Sequence, residues 1–206
     1  MYIELIDLLR CPREHSDSWL VAAFDQMDGR FVTAGKLGCP VCSASYRIRD
    51  GIVDLSEAEY EITHGCSGLV YPDEKAAVRA AALLGLAKPN TVVVLAGDAS
   101  SLAHNVSEIA EARVIALNST AGIDESEKVA VVLSDRRLPF APGSIDGIMV
   151  DETTIQFVPD ALRVLRQGGR LIVPMGTTLP AGFRELARDD REVVAESIGE
   201  LITLTR

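Results

Sequence analysis

The chain has 206 residues and a mass of 22.1 kDa, room for one good-sized domain or for a small one beside a medium one. With 48% hydrophobic and 24% charged residues it is not a disordered polymer, and no apolar run reaches membrane-spanning length. The net charge of −10 is shared along the chain, residues 1–58 holding 6 basic and 9 acidic side chains, which disfavours naked duplex binding through many phosphate contacts.

Small basic spots, Arg47/Arg49 and Arg136-Arg137, read as solvated surface charge and leave RNA as the open nucleic-acid option. The opening MYIELIDLLRCP carries acids where a secretory leader needs a basic start, so a cytoplasmic location is expected. In that compartment four cysteines point to metal or free thiols before disulfides.

Cys11-Pro12-Arg13-Glu14-His15 and Cys39-Pro40-Val41-Cys42 form two ligand pairs, C-x3-H and C-x2-C. Two such knuckles can close a tetrahedral Cys3His zinc site through Cys11, His15, Cys39 and Cys42, with Cys66 of the pair His64/Cys66 in reserve for the fourth position. Pro12 and Pro40 pre-set a turning backbone, so that amides can point at sulfur. The intervening residues read as a hairpin, with strands at 19–24 and 30–37 around a turn at 25–29. Two further strands flank Asp50-Gly51. With few large rings, among them Trp19, Phe24, Phe31 and Tyr46, a unit this small needs a staple, and four protein ligands make the metal structural.

These knuckles, followed by Tyr46-Arg47-Ile48-Arg49-Asp50-Gly51-Ile52, resemble the zinc ribbons of small methyltransferase-activating proteins and of some ribosomal RNA methyltransferases. The pattern departs at the first knuckle, where Glu14 stands in the usual second-cysteine slot and His15 is one residue late.

Residues 56–72 lack periodicity and hold Gly65, Gly68 and Pro72, which marks a connection, and 73–87 is an alanine- and leucine-rich helix with an acidic first turn. Three units are thus expected: a ribbon at 1–58, a linker and helix at 59–88, and an α/β domain at 89–206. Short buried strands are expected at 91–96, 113–117, 129–133, 145–150 and 170–174, with a helix from about 98 to 112. Strands at 193–197 and 201–205 would close an antiparallel edge. The order describes a doubly wound, mostly parallel sheet whose ligand sits at the carboxyl ends of its strands. Gly168-Gly169 reads as a helix cap before the fifth strand.

The wording of the second half is more specific. Asp135…Leu138-Pro139-Phe140…Gly143-Ser144-Ile145-Asp146, then Leu162-Arg163-Val164-Leu165-Arg166…Gly168-Gly169-Arg170-Leu171, resembles class I S-adenosylmethionine-dependent methyltransferases. The resemblance implies a Rossmann-like domain with S-adenosylmethionine as cofactor, lined by Gly97, Ala99, Ser101, Asn118, Asp135 and Leu138. Against the family pattern, the first loop is Gly97-x-Ala99-x-Ser101 in place of three glycines, and Leu95 stands where an acid often precedes it. Asn118 replaces the acid expected at the end of the second strand, so a ribose would lose a charge-assisted acceptor. Gln156 and Phe157 occupy the places of a substrate-facing histidine pair before Val158-Pro159-Asp160, and no catalytic base is evident. Two readings follow: an enzyme that moves a methyl group to an unknown acceptor, or an inactive scaffold or partner-binding subunit. Ala161-Leu162-Arg163-Val164 follows Asp160 at once, where the family usually has about two more helical turns at the substrate wall, so the resemblance implies a protein partner that completes or regulates the site.

Overall fold

The computed structural model describes residues 1–57, 74–119, 122–123 and 125–199. His64, Cys66, most of the expected linker and the expected strand at 201–205 lie outside them. No helix among the described residues is long and apolar enough to cross a membrane.

Among the described residues, eleven strands form one mixed sheet. The amino-terminal four are β1 (Val21–Asp28), β2 (Phe31–Gly38), β3 (Ser45–Arg49) and β4 (Ile52–Asp54), an antiparallel meander. The first strand outruns its expected length and carries register shifts between Phe24 and Met27, so the turn contracts to Gly29-Arg30. Asp50 and Gly51 both have positive φ, the backbone of a type I′ hairpin turn.

Five parallel strands follow: β5 (Val92–Ala96), β6 (Arg113–Leu117), β7 (Val129–Leu133), β8 (Ile145–Met149) and β9 (Leu165–Pro174). Their spatial order is β7-β6-β5-β8-β9, so the winding reverses direction at β5. Such a reversal opens a crevice beyond the carboxyl ends of β5 and β8, the usual place for a ligand in an open α/β sheet. Beyond β9 the sheet ends in β11 (Glu192–Ser197) and then β10 (Phe183–Arg188), paired antiparallel. The edge hairpin therefore draws its outer strand from before residue 193.

Every residue of β5 and β7 is buried, because both faces of the sheet are covered. Val93 and Leu95 face one core with Ala77, Ala80 and Leu84 of α1 (Glu74–Leu84) and Ala103 and Val106 of α2 (Ala103–Ile109). Val92, Val94 and Ala96 face the other, with Phe157 and with Val158, Ala161 and Val164 of α3 (Val158–Val164). Leu5, Leu9, Leu37 and Val53 belong to this second core, so the amino-terminal unit packs on the sheet as a helix would.

Three local outcomes differ from the sequence reading. The helix after β5 begins as a 3-10 segment, Gly97–Leu102, in which the Ser100 and Ser101 hydroxyls bond to the carbonyls of Gly97 and Asp98. Hydroxyls bonded back to nearby carbonyls compete with the α pattern. Helix α1 stops at Leu84, before Gly85 with φ +69°, and Arg170 of β9 donates to its terminal carbonyls at Leu83 and Ala82. Gly168-Gly169 is no helix cap: α3 has already ended at Val164, and the pair lies in an irregular stretch of β9. There the register with β8 jumps from Ile145↔Leu165 to Gly147↔Arg170, and four residues oppose one.

That bulge needs backbone contact. A Cβ on Gly169 would lie 2.8 Å from the Arg166 carbonyl oxygen and 3.1 Å from that of Asp146, whereas one on Gly122 meets nothing within 4 Å. Gly169→Ala is therefore expected to cost about 1–3 kcal/mol of stability as overpacking. Gly122→Ala should shift the urea midpoint little; comparing the two midpoints checks the assignment.

Candidate functional site

The two knuckles meet. One ligand atom from each of Cys11, His15, Cys39 and Cys42 lies within 4.8 Å of all the others. The Cys11 and Cys42 sulfurs are 3.7 Å apart, and the Cys39 sulfur is 3.4 Å from His15 Nε2. A tetrahedron with metal–sulfur bonds of about 2.3 Å has sulfur–sulfur edges of about 3.8 Å, so this donor set has the size of a metal site. The His15 Nδ1–H donates to the Ser16 carbonyl at 2.6 Å, which leaves the Nε2 lone pair facing the sulfurs, as a metal-binding histidine requires.

Local backbone explains the convergence. Cys39 N–H bonds to Ala44 O at 2.8 Å and Ser43 N–H to Cys39 O at 3.0 Å, with Ser43 at φ 57°. This turn aims the amides of Val41 and Cys42 at the Cys39 sulfur. Burial opposes its thiolate, but those amides and the neighbouring thiols outweigh burial and bring its pKa down to about 6. Burial pushes the Cys11 thiol up, while the Tyr46 hydroxyl, 3.3 Å away, acts in the other direction. Cys11 is fully buried and Cys39 nearly so.

The second candidate region lies at the carboxyl ends of the central strands. Gly97, Ala99 and Ser101 share the 3-10 segment that leaves β5. Ser100 in the same segment bonds to Ser119 at 2.7 Å, which brings the end of β6, with Asn118, alongside. Asn118, at φ 50°, turns its carboxamide onto Ser134: Nδ2 donates to Ser134 O at 2.6 Å, and Ser134 N–H donates to Oδ1 at 2.8 Å. Asp135 follows β7 on the surface, and its carboxylate accepts the Glu57 N–H at 2.9 Å. Leu138 leaves the mouth altogether, fully buried in the core, with its N–H on Asp160 at 3.0 Å and its carbonyl on Arg163 at 2.7 Å.

Asp151, just beyond β8, crosses the crevice. Its carboxylate accepts Asp98 N–H at 2.6 Å, Thr153 N–H at 2.9 Å, Thr154 N–H at 3.0 Å, and both threonine hydroxyls at 2.7 Å. It lies directly over Gly97, where a Cβ would come within 2.1 Å of a carboxylate oxygen; φ is +62° there as well. Of the residues at the expected substrate wall, Phe157 is core and Gln156 is exposed. Sequence reasoning missed the bonds of Asp151 to Thr153 and Thr154, along with Ser134, Asp160 and Arg163. The i, i+3 spacing of Asp160 and Arg163 was the one readable signal among these.

No family model matches the sequence, and a search of curated proteins finds no match. Among solved structures, the chain is similar to the geranyl diphosphate C-methyltransferase of Streptomyces coelicolor A3(2), solved with S-adenosyl-L-homocysteine. The TM-score is 0.41 and the identity 21%, over 48% of this chain and 42% of that one. It is also similar to the antibiotic-resistance methyltransferase Kmr, with a TM-score of 0.43 and 16% identity over 60% and 93% of the two chains. The [4+2]-cyclase SpnF gives 0.45 and 16% over 55% and 58%. The chain spans less than half the length of the first of these.

Burial disfavours ionisation of Asp151, but its bonds from Asp98, Thr153 and Thr154 prevail and hold its pKa below the ordinary 3.8. A carboxylate depressed by folding contributes stability that is full above its unfolded pKa and is lost as pH falls through the folded one. Asp151→Asn is thus expected to be less stable than the parent chain at neutral pH. The gap should close as pH drops below about 4, which paired denaturation curves over pH will show.

Proposed function

We propose that this chain is an S-adenosylmethionine-dependent methyltransferase-like protein with a structural zinc ribbon at its amino terminus. The observation that carries this reading is the crevice where the winding reverses between β5 and β8, with the small-residue segment Gly97–Leu102 on one side and Asn118 nearby. That is where a doubly wound sheet offers backbone to a nucleoside-type ligand. Gly97, Ala99 and Ser101 would let the ligand approach the backbone, Asn118 would offer its amide to the ribose, and Asp135 would stand on the adenine side. The cofactor would supply an activated methyl group. The chain's own task would be to bind, orient and desolvate, since methyl transfer gains most from in-line positioning.

For the metal, three thiolates and an imidazole are a zinc donor set, and the lack of an open position makes the ion a staple. Because β4 is hydrogen-bonded to β7, the staple would brace the sheet's edge as well as the ribbon.

A second reading, an inactive scaffold that binds a partner protein, is favoured by a specific observation. The polar groups at the mouth find partners within the chain: Asn118 on Ser134, Asp135 on Glu57, Asp151 on Asp98. A ligand would have to compete with each.

Calorimetric titration with S-adenosylhomocysteine separates the two. The first reading expects saturable heat by high-micromolar ligand, and none at that concentration leaves the scaffold. Elemental analysis is expected to find about one zinc per chain, and Cys39→Ser to lose it. A metal-free parent protein that takes up no added zinc would refute the ribbon.

A further inference from the structure

The first knuckle is joined to the loop that follows β7, and the joints run along its whole length. At one end, Ala141 N–H donates to Leu8 O and Arg10 N–H to Pro139 O, both at 2.8 Å, with an antiparallel bridge between Leu9 and Phe140. In the middle, Arg137 Nη2 reaches the carbonyl oxygen of Cys11 itself at 3.3 Å and lies 3.9 Å from Asp17. At the other end, the Glu57 carboxylate is shared by Arg13 of the knuckle, at 2.9 Å, and Arg136 of the loop. The same Glu57 gives its N–H to Asp135.

These ion pairs are partly exposed, Glu57 by 32% and Asp17 by 38%, so each is weak by itself. Asn118 holds the loop at Ser134, and Asp160 and Arg163 hold its backbone at Leu138 and Phe140. The more exposed stretch at 135–137 depends on the knuckle side, whose contacts add order only if the knuckle is itself rigid. Within residues 11–18 the backbone bonds are His15 N–H to Arg13 O at 3.0 Å and Cys11 N–H to Ser18 O at 3.2 Å. So short a turn takes its rigidity from closure of Cys11 and His15 onto Cys39 and Cys42.

We propose that metal occupancy at Cys11, His15, Cys39 and Cys42 sets the order of the loop 134–141 through Arg137, Glu57 and the paired segment 8–10, and thereby couples the metal centre to the ligand crevice. The inference rests on the metal reading above and extends it from a staple to a control of the neighbouring site. The coupling is reciprocal: a ligand that engages the ordered loop tightens metal binding by the same factor by which metal tightens the ligand. Arg137 and Glu57 act as positioning residues, transmitting the state of the knuckle without touching the metal.

Amide hydrogen exchange read by mass spectrometry tests this on the full chain, zinc-loaded and after chelation. Peptides covering 134–141 are expected to exchange about tenfold faster without metal, while those covering β5 and β6 keep their protection. Unchanged exchange at 134–141, or equal acceleration throughout, overturns the proposal. Arg137→Ala provides a second arm that keeps the metal in place. It is expected to retain the zinc content of the parent and still show faster exchange at 134–141. Retained zinc with unchanged exchange, in both Arg137→Ala and Glu57→Ala, also overturns it. Failure of the metal reading looks different: no zinc is taken up on titration, and the premise of the coupling falls with it.

Discussion

Two residue pairs of parallel β structure, Val53 with Val132 and Asp54 with Leu133, make the amino-terminal meander continuous with the central sheet. A further bond from Leu55 N–H to Leu133 O extends the seam. Without it, the amino-terminal meander would be a four-stranded sheet with little core of its own, and β7 would be an open edge. Edges of that kind invite pairing, and the amino-terminal meander occupies this one. Because β4 is in register with β7, Leu5, Leu9, Leu37 and Val53 reach the face of the sheet that α3 covers only in part. The same seam brings Glu57 to Asp135 and the first knuckle to the Leu138-Pro139-Phe140 loop.

The chemistry at the mouth of the sheet follows from that placement. Asp98, Asp135, Asp151 and Glu152 make the rim acidic, and the ionised Asp151 occupies the loop amide that an anionic ligand group would seek. A pyrophosphate would be repelled there, whereas a ligand carrying positive charge would meet a fixed carboxylate. Leu95 offers the loop after β5 no carboxylate, and Asp151 brings one to that loop from the neighbouring strand.

The parallel strands were legible because runs such as Val92-Val93-Val94-Leu95 and Val129-Ala130-Val131-Val132 are β-branched and apolar on both faces. The four residues of the Cys/His cluster were legible because knuckles are local: a run of four or five residues carries each pair. Gly168-Gly169 misled, since a glycine pair after a helix and one inside a bulge look alike in one dimension. What separated them was the approach of the Arg166 and Asp146 carbonyls. Asp160 and Arg163 gave no hint that they hold the backbone of Leu138 and Phe140, because their targets lie more than twenty positions away.

Local features are written along the chain: strand identity, the I′ turn at Asp50-Gly51, two Cys/His knuckles and the small-residue segment after β5. Each depends on neighbours in the chain, whose spacing the sequence states outright. It took the three-dimensional fold to make the amino-terminal meander an extension of the sheet, to carry Asp151 across the crevice and to tie the first Cys/His knuckle to the loop after β7. Those outcomes join groups 53 to 126 residues apart. Their geometry is set by strand order and register, which no local pattern of residues encodes.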